Sequence, residues 1–128
     1  MESGEQIPEL RVTPDKYLPH RYAGASGDFN PIHIDPDFAK SVGLPGNILH
    51  GLYGMGLVAK AAAVGLGGGD PRALKKLTVQ FRGMGLPEQE IEVTGSVKEV
   101  EGDRVTVDLE ARQGDNRIIR NAVAELEL

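Results

Sequence analysis

An α+β fold is predicted for this chain, with one long helix packed against an antiparallel sheet of about five strands. Three observations carry the prediction. A nearly unbroken apolar segment runs from Asn47 to Leu66, too long for a strand. From Leu74 onward the apolar period switches to two, through Leu77, Val79 and Phe81, then Ile91, Val93 and Val97, then Val105, Val107 and Leu109. Glu101-Gly102-Asp103 and Gln113-Gly114-Asp115-Asn116 punctuate the last strands, and turns this short join antiparallel neighbours, so the C-terminal half reads as a meander. A length of 128 residues suits one such core, and residues 1–128 are read as a single domain.

The elements follow in order. Residues 1–5 read as a frayed end, and Ile7, Leu10 and Val12 around Pro8 suit a short edge strand. Thr13-Pro14-Asp15 reads as a helix start, with Thr13 as N-cap and Pro14 at the first helical position. That helix turns Tyr17, Leu18 and Tyr22 inward and ends before Gly27; Pro19 makes it short or kinked. His20 is read as solvent-facing. Asp35-Pro36-Asp37 opens a second short helix, which packs Phe38 and Ala39 and closes at Gly43 before a Leu44-Pro45-Gly46 turn.

The 47–66 segment carries apolar residues on nearly every face, the mark of a helix buried all round. About eighteen helical residues would span roughly 27 Å. Its glycines at 51, 54 and 56 each cost on the order of 1 kcal/mol in a helix, which close approach of a neighbouring backbone would justify. A membrane span competes with this reading, but Lys60 lies near the middle and no topogenic flanks are present. The segment from Gly67 to Pro71 lacks the Lys-Ser/Thr of a phosphate-binding loop and reads as a linker.

Composition excludes several classes. With no cysteine there are no disulfides, thiolate nucleophiles or cysteine metal sites, which suits a reducing compartment. A net charge of −5 and the lack of a basic, aromatic-laced stripe argue against nucleic acid as a partner. The N-terminus lacks a basic-then-apolar leader pattern, so the cytoplasm is the expected location.

Chemistry concentrates in Tyr22-Ala-Gly-Ala-Ser-Gly-Asp28-Phe-Asn-Pro-Ile-His33. On an unbroken helix a spacing of five would point Asp28 and His33 well apart. Pro31 prevents that helix by lacking an N–H and by pushing Asn30 out of the helical region. The pair is therefore expected on a bent loop, where a carboxylate and an imidazole can share one water and move its proton. An arbitrary Asp…His pair is more often a helix cap and a surface histidine.

The run as a whole resembles the hydratase motif of the MaoC-like dehydratase family, which includes the R-specific enoyl-CoA hydratases. Ser26, Gly27, Asp28, Asn30, Pro31 and His33 match at fixed spacing, and Asp35 and Ala39 continue the agreement. The resemblance implies a hot-dog fold, its sheet curled around the central helix. It also implies edge-to-edge pairing into a homodimer or higher homo-oligomer, with the site near the interface. A second landmark, Ile48-Leu49-His50-Gly51, stands where related enzymes carry a histidine-glycine pair whose glycine N–H faces the thioester carbonyl. A free N–H at a helix N-terminus suits an oxyanion. His50 itself is read as a space-filling residue.

What the resemblance implies is addition of water to a trans-2-enoyl thioester, or removal of water from the (3R)-hydroxyacyl thioester. The thioester is carried by coenzyme A or an acyl carrier protein. Asp28 and His33 would be catalytic, Gly51 the oxyanion donor, and Asn30 and Ser26 supports; no metal and no cofactor is expected. Which of Asp28 and His33 is the base stays open. Gly54 and Gly56 stand where relatives often carry larger residues, which bears on acyl length, and Leu86-Pro87-Glu88-Gln89-Glu90 replaces a Pro-Gly-Asp turn. Arg72, Lys75, Lys76 and Arg82 are scattered, and none is assigned to the carrier. Two alternatives remain: an accessory subunit of a heterodimeric dehydratase, and a hot-dog thioesterase. The second is disfavoured because that chemistry places an acid on or beside the central helix, and this helix has none.

Overall fold

The computed structural model describes residues 1–128. Five strands form one antiparallel sheet: β1 (Leu10–Val12), β2 (Leu74–Phe81), β3 (Ile91–Glu101), β4 (Arg104–Gln113) and β5 (Asn116–Glu127). Their spatial order is β1-β3-β4-β5-β2. Strands β3, β4 and β5 are the expected meander, paired Val97 to Val107 and Val107 to Ala124. β2 is a correction: it lies beside β5, at the edge opposite β1, rather than next to β3. The link from Arg82 to Glu90 is no tight hairpin, so nothing ties β2 to the strand that follows it. Register shifts within β2–β5, β3–β4 and β4–β5 bend the ladder and let the sheet curl.

Inside the curl lies α4 (Gly51–Leu66), the predicted central helix. At 16 residues it runs roughly 24 Å, shorter than expected because residues 47–50 approach it in extended form. Leu49 N–H donates to the Gly85 carbonyl (2.8 Å) and Ile48 N–H to the Ile32 carbonyl (3.2 Å), and His50 at the N-cap is extended (φ −64°, ψ 137°). Gly54, Leu57, Val58, Ala61 and Ala62, at helical spacing, are buried against Ile91, Val93, Val107 and Ile119. Each fully buried Val, Leu or Ile contributes on the order of 1.5–3 kcal/mol. The expectation of burial on all faces is corrected: Leu52 and Val64 are 63% and 59% exposed. No helix is long and apolar enough to cross a membrane.

The N-terminal segment crosses the sheet closely. Ile7 N–H donates to the Gly95 carbonyl (3.0 Å), and a Cβ at Gly95 would stand 3.1 Å from the Ile7 side chain. Helix α1 (Leu18–Ser26) starts later than predicted, with Tyr17 rather than Thr13 at the N-cap. Pro19 falls in the first turn, where no N–H is required, so it begins the helix instead of kinking it. Asp15 supplies the capping oxygen, accepting from Tyr17 N–H (2.8 Å) and from both terminal nitrogens of Arg21 (3.2 and 2.8 Å). Tyr17 is exposed, against expectation, while Leu18 and Tyr22 are half-buried.

Two more short helices complete the layer, α2 (Pro31–Ile34) and α3 (Pro36–Ser41). The Asp35 carboxylate caps α3 at Asp37 and Phe38 N–H. Ala39 packs as expected, but Phe38 is 40% exposed. His20 is exposed, and its ring meets the Ile34 carbonyl at 3.0 Å, tying α1 to α2.

Arg21 holds the Asp15 carboxyl below its ordinary range, chiefly through their hydrogen bond. A folded value below the unfolded one stabilises above the unfolded value, and that stabilisation disappears as pH falls through the folded value. Asp15→Ala is therefore expected to lower Tm at neutral pH. The gap from the parent should close in acid below the ordinary aspartate range, as thermal melts followed by circular dichroism across pH would show.

Candidate active site

The motif opens on the last residues of α1. Gly27 takes a left-handed conformation (φ 80°) that ends the helix, as its lack of a Cβ permits. Asp28 N–H then meets Ser26 Oγ (3.2 Å), and Asp28 Oδ1 accepts from Asn30 N–H (3.2 Å). Asn30 caps α2 with Pro31 at its first position, its Oδ1 taking Ile32 N–H (3.2 Å). The bend is thus two Asx-type turns running into one helical turn, and Asn30 braces Asp28 through its backbone rather than its amide.

This bend brings the predicted pair together. His33 Nε2 stands 3.8 Å from Asp28 Oδ2. The gap is too long for a direct hydrogen bond, and an oxygen about 2.8 Å from each fits across it. His33 Nδ1 lies 2.8 Å from the Ile48 carbonyl, which can only accept, so Nδ1 carries the proton. In the neutral ring Nε2 is then left with a lone pair facing Asp28. The His33 side chain is 9% exposed and that of Asp28 53%, so the pair straddles the boundary between interior and solvent.

His50 is not mere filler. Its ring stacks on that of His33 at 3.8 Å between centroids and 17° between planes, with Tyr22 on its other contacts at 4.7 Å. His50 Nε2–H donates to the Asp28 carbonyl at 3.0 Å, and its Nδ1 is buried without a partner. One side chain therefore touches both members of the pair. Asp28, His33 and His50 also set one ligand atom each within 4.8 Å of one another.

Gly51, next in sequence, is the first residue of α4, and its N–H meets no acceptor in the chain. It borders two cavities. An inner one of about 180 Å³ is lined by His33, Gly54, Tyr53, Ile91, Ile118 and Ile119. An outer one of about 260 Å³ is lined by Tyr22, Ser26, Asp28 and Leu52. Phe81, His50 and Gly51 border both. Burial pushes the Tyr53 phenol up from its ordinary value, with Arg21 opposing. Gly54 is needed there: a Cβ would stand 3.3 Å from Ile119 Cδ1. Gly56 points into open space and shapes neither cavity.

Residues 83–85, just before the expected 86–90 turn, also line the inner cavity. Buried Gln113 accepts from Leu86 N–H (2.8 Å) and donates to the carbonyls of Leu86 (2.7 Å) and Gln89 (3.1 Å). Asn116 Nδ2 donates to the Met84 carbonyl (2.9 Å). Both side chains lie in the turn that sequence marked only as a hairpin; nothing in their spacing advertises a brace.

His50→Phe retains a flat ring but loses the bond to Asp28. Misplacement of a catalytic group by about 1 Å costs on the order of 10²-fold. The substitution is expected to lower kcat by about ten- to a hundredfold with an unchanged circular dichroism spectrum, measured by steady-state kinetics.

The MaoC like domain model matches residues 2–117. Over 73 residues, 57% of this chain and 23% of the relative, the sequence is 44% identical to peroxisomal enoyl-CoA hydratase 2 of Arabidopsis thaliana. The chain thus spans about a quarter of that relative's length. A solved MaoC-like dehydratase superposes with a TM-score of 0.93 at 28% identity, covering 100% of this chain and 41% of that one. A chain of the ChsH1-ChsH2 complex from Mycobacterium tuberculosis superposes with a TM-score of 0.88 at 22% identity, covering 100% and 98%. The five-stranded antiparallel sheet around one helix is the hot-dog fold of these structures, and the chain belongs to the MaoC-like dehydratase family.

Proposed function

We propose that this chain hydrates trans-2-enoyl thioesters to (3R)-hydroxyacyl thioesters and catalyses the reverse dehydration. The single observation that carries the reading is the placement of Asp28 Oδ2 and His33 Nε2 3.8 Å apart, beside the free N–H of Gly51. A water gripped by the two side chains attacks the β carbon, and negative charge moves onto the thioester oxygen. The Gly51 N–H, at the positive end of α4, holds that charge as it forms. His33 Nε2, the unprotonated nitrogen, accepts the proton of the water and returns it to the α carbon. The elements of water are then added across the double bond, and the pair regains its starting state. Ser26 and Asn30 hold the bend. The carrier is coenzyme A or an acyl carrier protein.

Pairing with a second copy is part of the proposal. β2 leaves one edge of its eight residues unpaired, and Leu52 and Val64 of α4 are exposed. An open edge of that length invites a further strand. Light scattering is expected to give at least twice the 13.7 kDa of one chain. Fold likeness to a chain of the ChsH1-ChsH2 complex supports a second reading, one half of a heterodimeric dehydratase. A chain that stays monomeric and inactive alone would favour it. α4 from Gly51 to Leu66 carries no acid, but Asp28 lies beside its N-terminus, so thiol release is the observation that separates the thioesterase reading.

Purified protein mixed with a short enoyl-CoA is expected to lower the enoyl absorbance to an equilibrium value without releasing thiol; thiol release would sink the hydratase reading. Asp28→Asn and His33→Ala are each expected to lower kcat by about 10²–10⁴ with the fold retained. Near-normal turnover in either variant would remove that residue from the mechanism.

A further inference from the structure

The two cavities split the catalytic pair: Asp28 borders only the outer one and His33 only the inner one. A β carbon attacked by a water held between them must lie at the seam. Phe81 occupies that seam. It ends β2, opposite Ile119, and its ring rests on Gly51 so closely that a Cβ there would stand 3.2 Å from Phe81 Cε1. The ring is nonetheless held from one side, since Phe81 is 55% exposed. Side chains this exposed change rotamer in picoseconds to nanoseconds.

The inner cavity is apolar along Leu49, Ile91, Ile118 and Ile119 and measures about 180 Å³. An apolar cavity of about 150 Å³ holds one benzene, so this one takes a tail of about six carbons. A short acyl group can react at the seam with its end barely inside. A longer one has to pass Phe81 to bury its tail.

We propose that Phe81 is the specificity-determining gate of this site, its ring swinging off Gly51 to admit an acyl tail and limiting which tails enter. The inference rests on the hydratase reading for its substrate class. Phe81→Ala joins the two cavities, and Phe81→Trp narrows the seam; Phe81→Leu replaces the alanine variant should that one not fold.

The test is kcat/KM for trans-2-octenoyl-CoA relative to crotonyl-CoA in the parent and the variants. One methylene in an apolar site is worth 10-fold or more in discrimination, so the ratio is expected to rise about tenfold in Phe81→Ala and to fall in Phe81→Trp. A purely structural role would depress both substrates alike. Ratios unchanged within about twofold in both variants would overturn the gate. Calorimetric titration with octanoyl-CoA and butyryl-CoA reads the same preference without turnover. If the parent hydrates neither enoyl thioester, the hydratase reading falls, and the affinity ratio alone decides. A shift in the predicted directions supports the gate; equal ratios end it.

Discussion

Everything about the site depends on how two segments far apart in sequence are laced together. Residues 28–33 and 47–50 share four hydrogen bonds. Ile32 gives its carbonyl to Ile48 N–H and Asn47 Nδ2, His33 Nδ1 donates to the Ile48 carbonyl, and His50 Nε2 donates to the Asp28 carbonyl. Each contributes only about 1 kcal/mol net. Their value is geometric. The carboxylate and imidazole stand on one segment and the helix N-terminus on the other. The lacing fixes the distance from the pair to the Gly51 N–H independently of the rest of the fold. The same bonds fix the His33 tautomer, because a backbone carbonyl can only accept.

The sheet and the loop at residues 83–89 serve that lacing from behind. Leu49 is pulled toward Gly85, and the loop carrying Gly85 is held by Gln113 and Asn116 at the β4–β5 hairpin. A buried amide that satisfies three backbone groups is costly to lose, since removing it leaves them unpaired. The hairpin farthest from the motif in sequence thereby sets the back wall of the inner cavity. Curling of the sheet brings Ile118 and Ile119 over the first turn of α4, where Gly54 gives them room.

Much of this was legible in the chain itself, and the misses share one physical cause. The strands β3, β4 and β5 could be read because alternation and tight turns are local. The place of β2 could not, because it depends on a crossover that leaves no trace in period or composition. Residues 47–50 look like helix by their apolarity, yet Ile48 and Leu49 are tied to Ile32 and Gly85, and only tertiary pairing decides that. Asp28, Asn30 and His33 stand out through fixed spacing, and Gly51 through its likeness to the histidine-glycine landmark of related enzymes. His50 gives no such signal of its role, because its stacking and its bond to a carbonyl 22 residues away are invisible in sequence. Gln113 hid in a turn for the same reason. Local signals survive in a sequence; partners across the fold do not.

The arrangement also solves an electrostatic conflict inherent in the proposed reaction. Its mechanism needs a carboxylate close by while a second negative charge forms on the thioester oxygen, and like charges in a dry site repel strongly. Here the Asp28 side chain is half in solvent, whereas the His33 ring is buried and the Gly51 N–H borders both cavities. Water screens the standing charge, and the free N–H at the positive helix end meets the developing one. His33 lies between them and can hold the migrating proton, which neutralises the pair during the step when both charges would otherwise coexist. Burying Asp28 fully would lose this separation. The motif bend therefore has to sit at the edge of the core, which is where the lacing to Ile48 and His50 puts it.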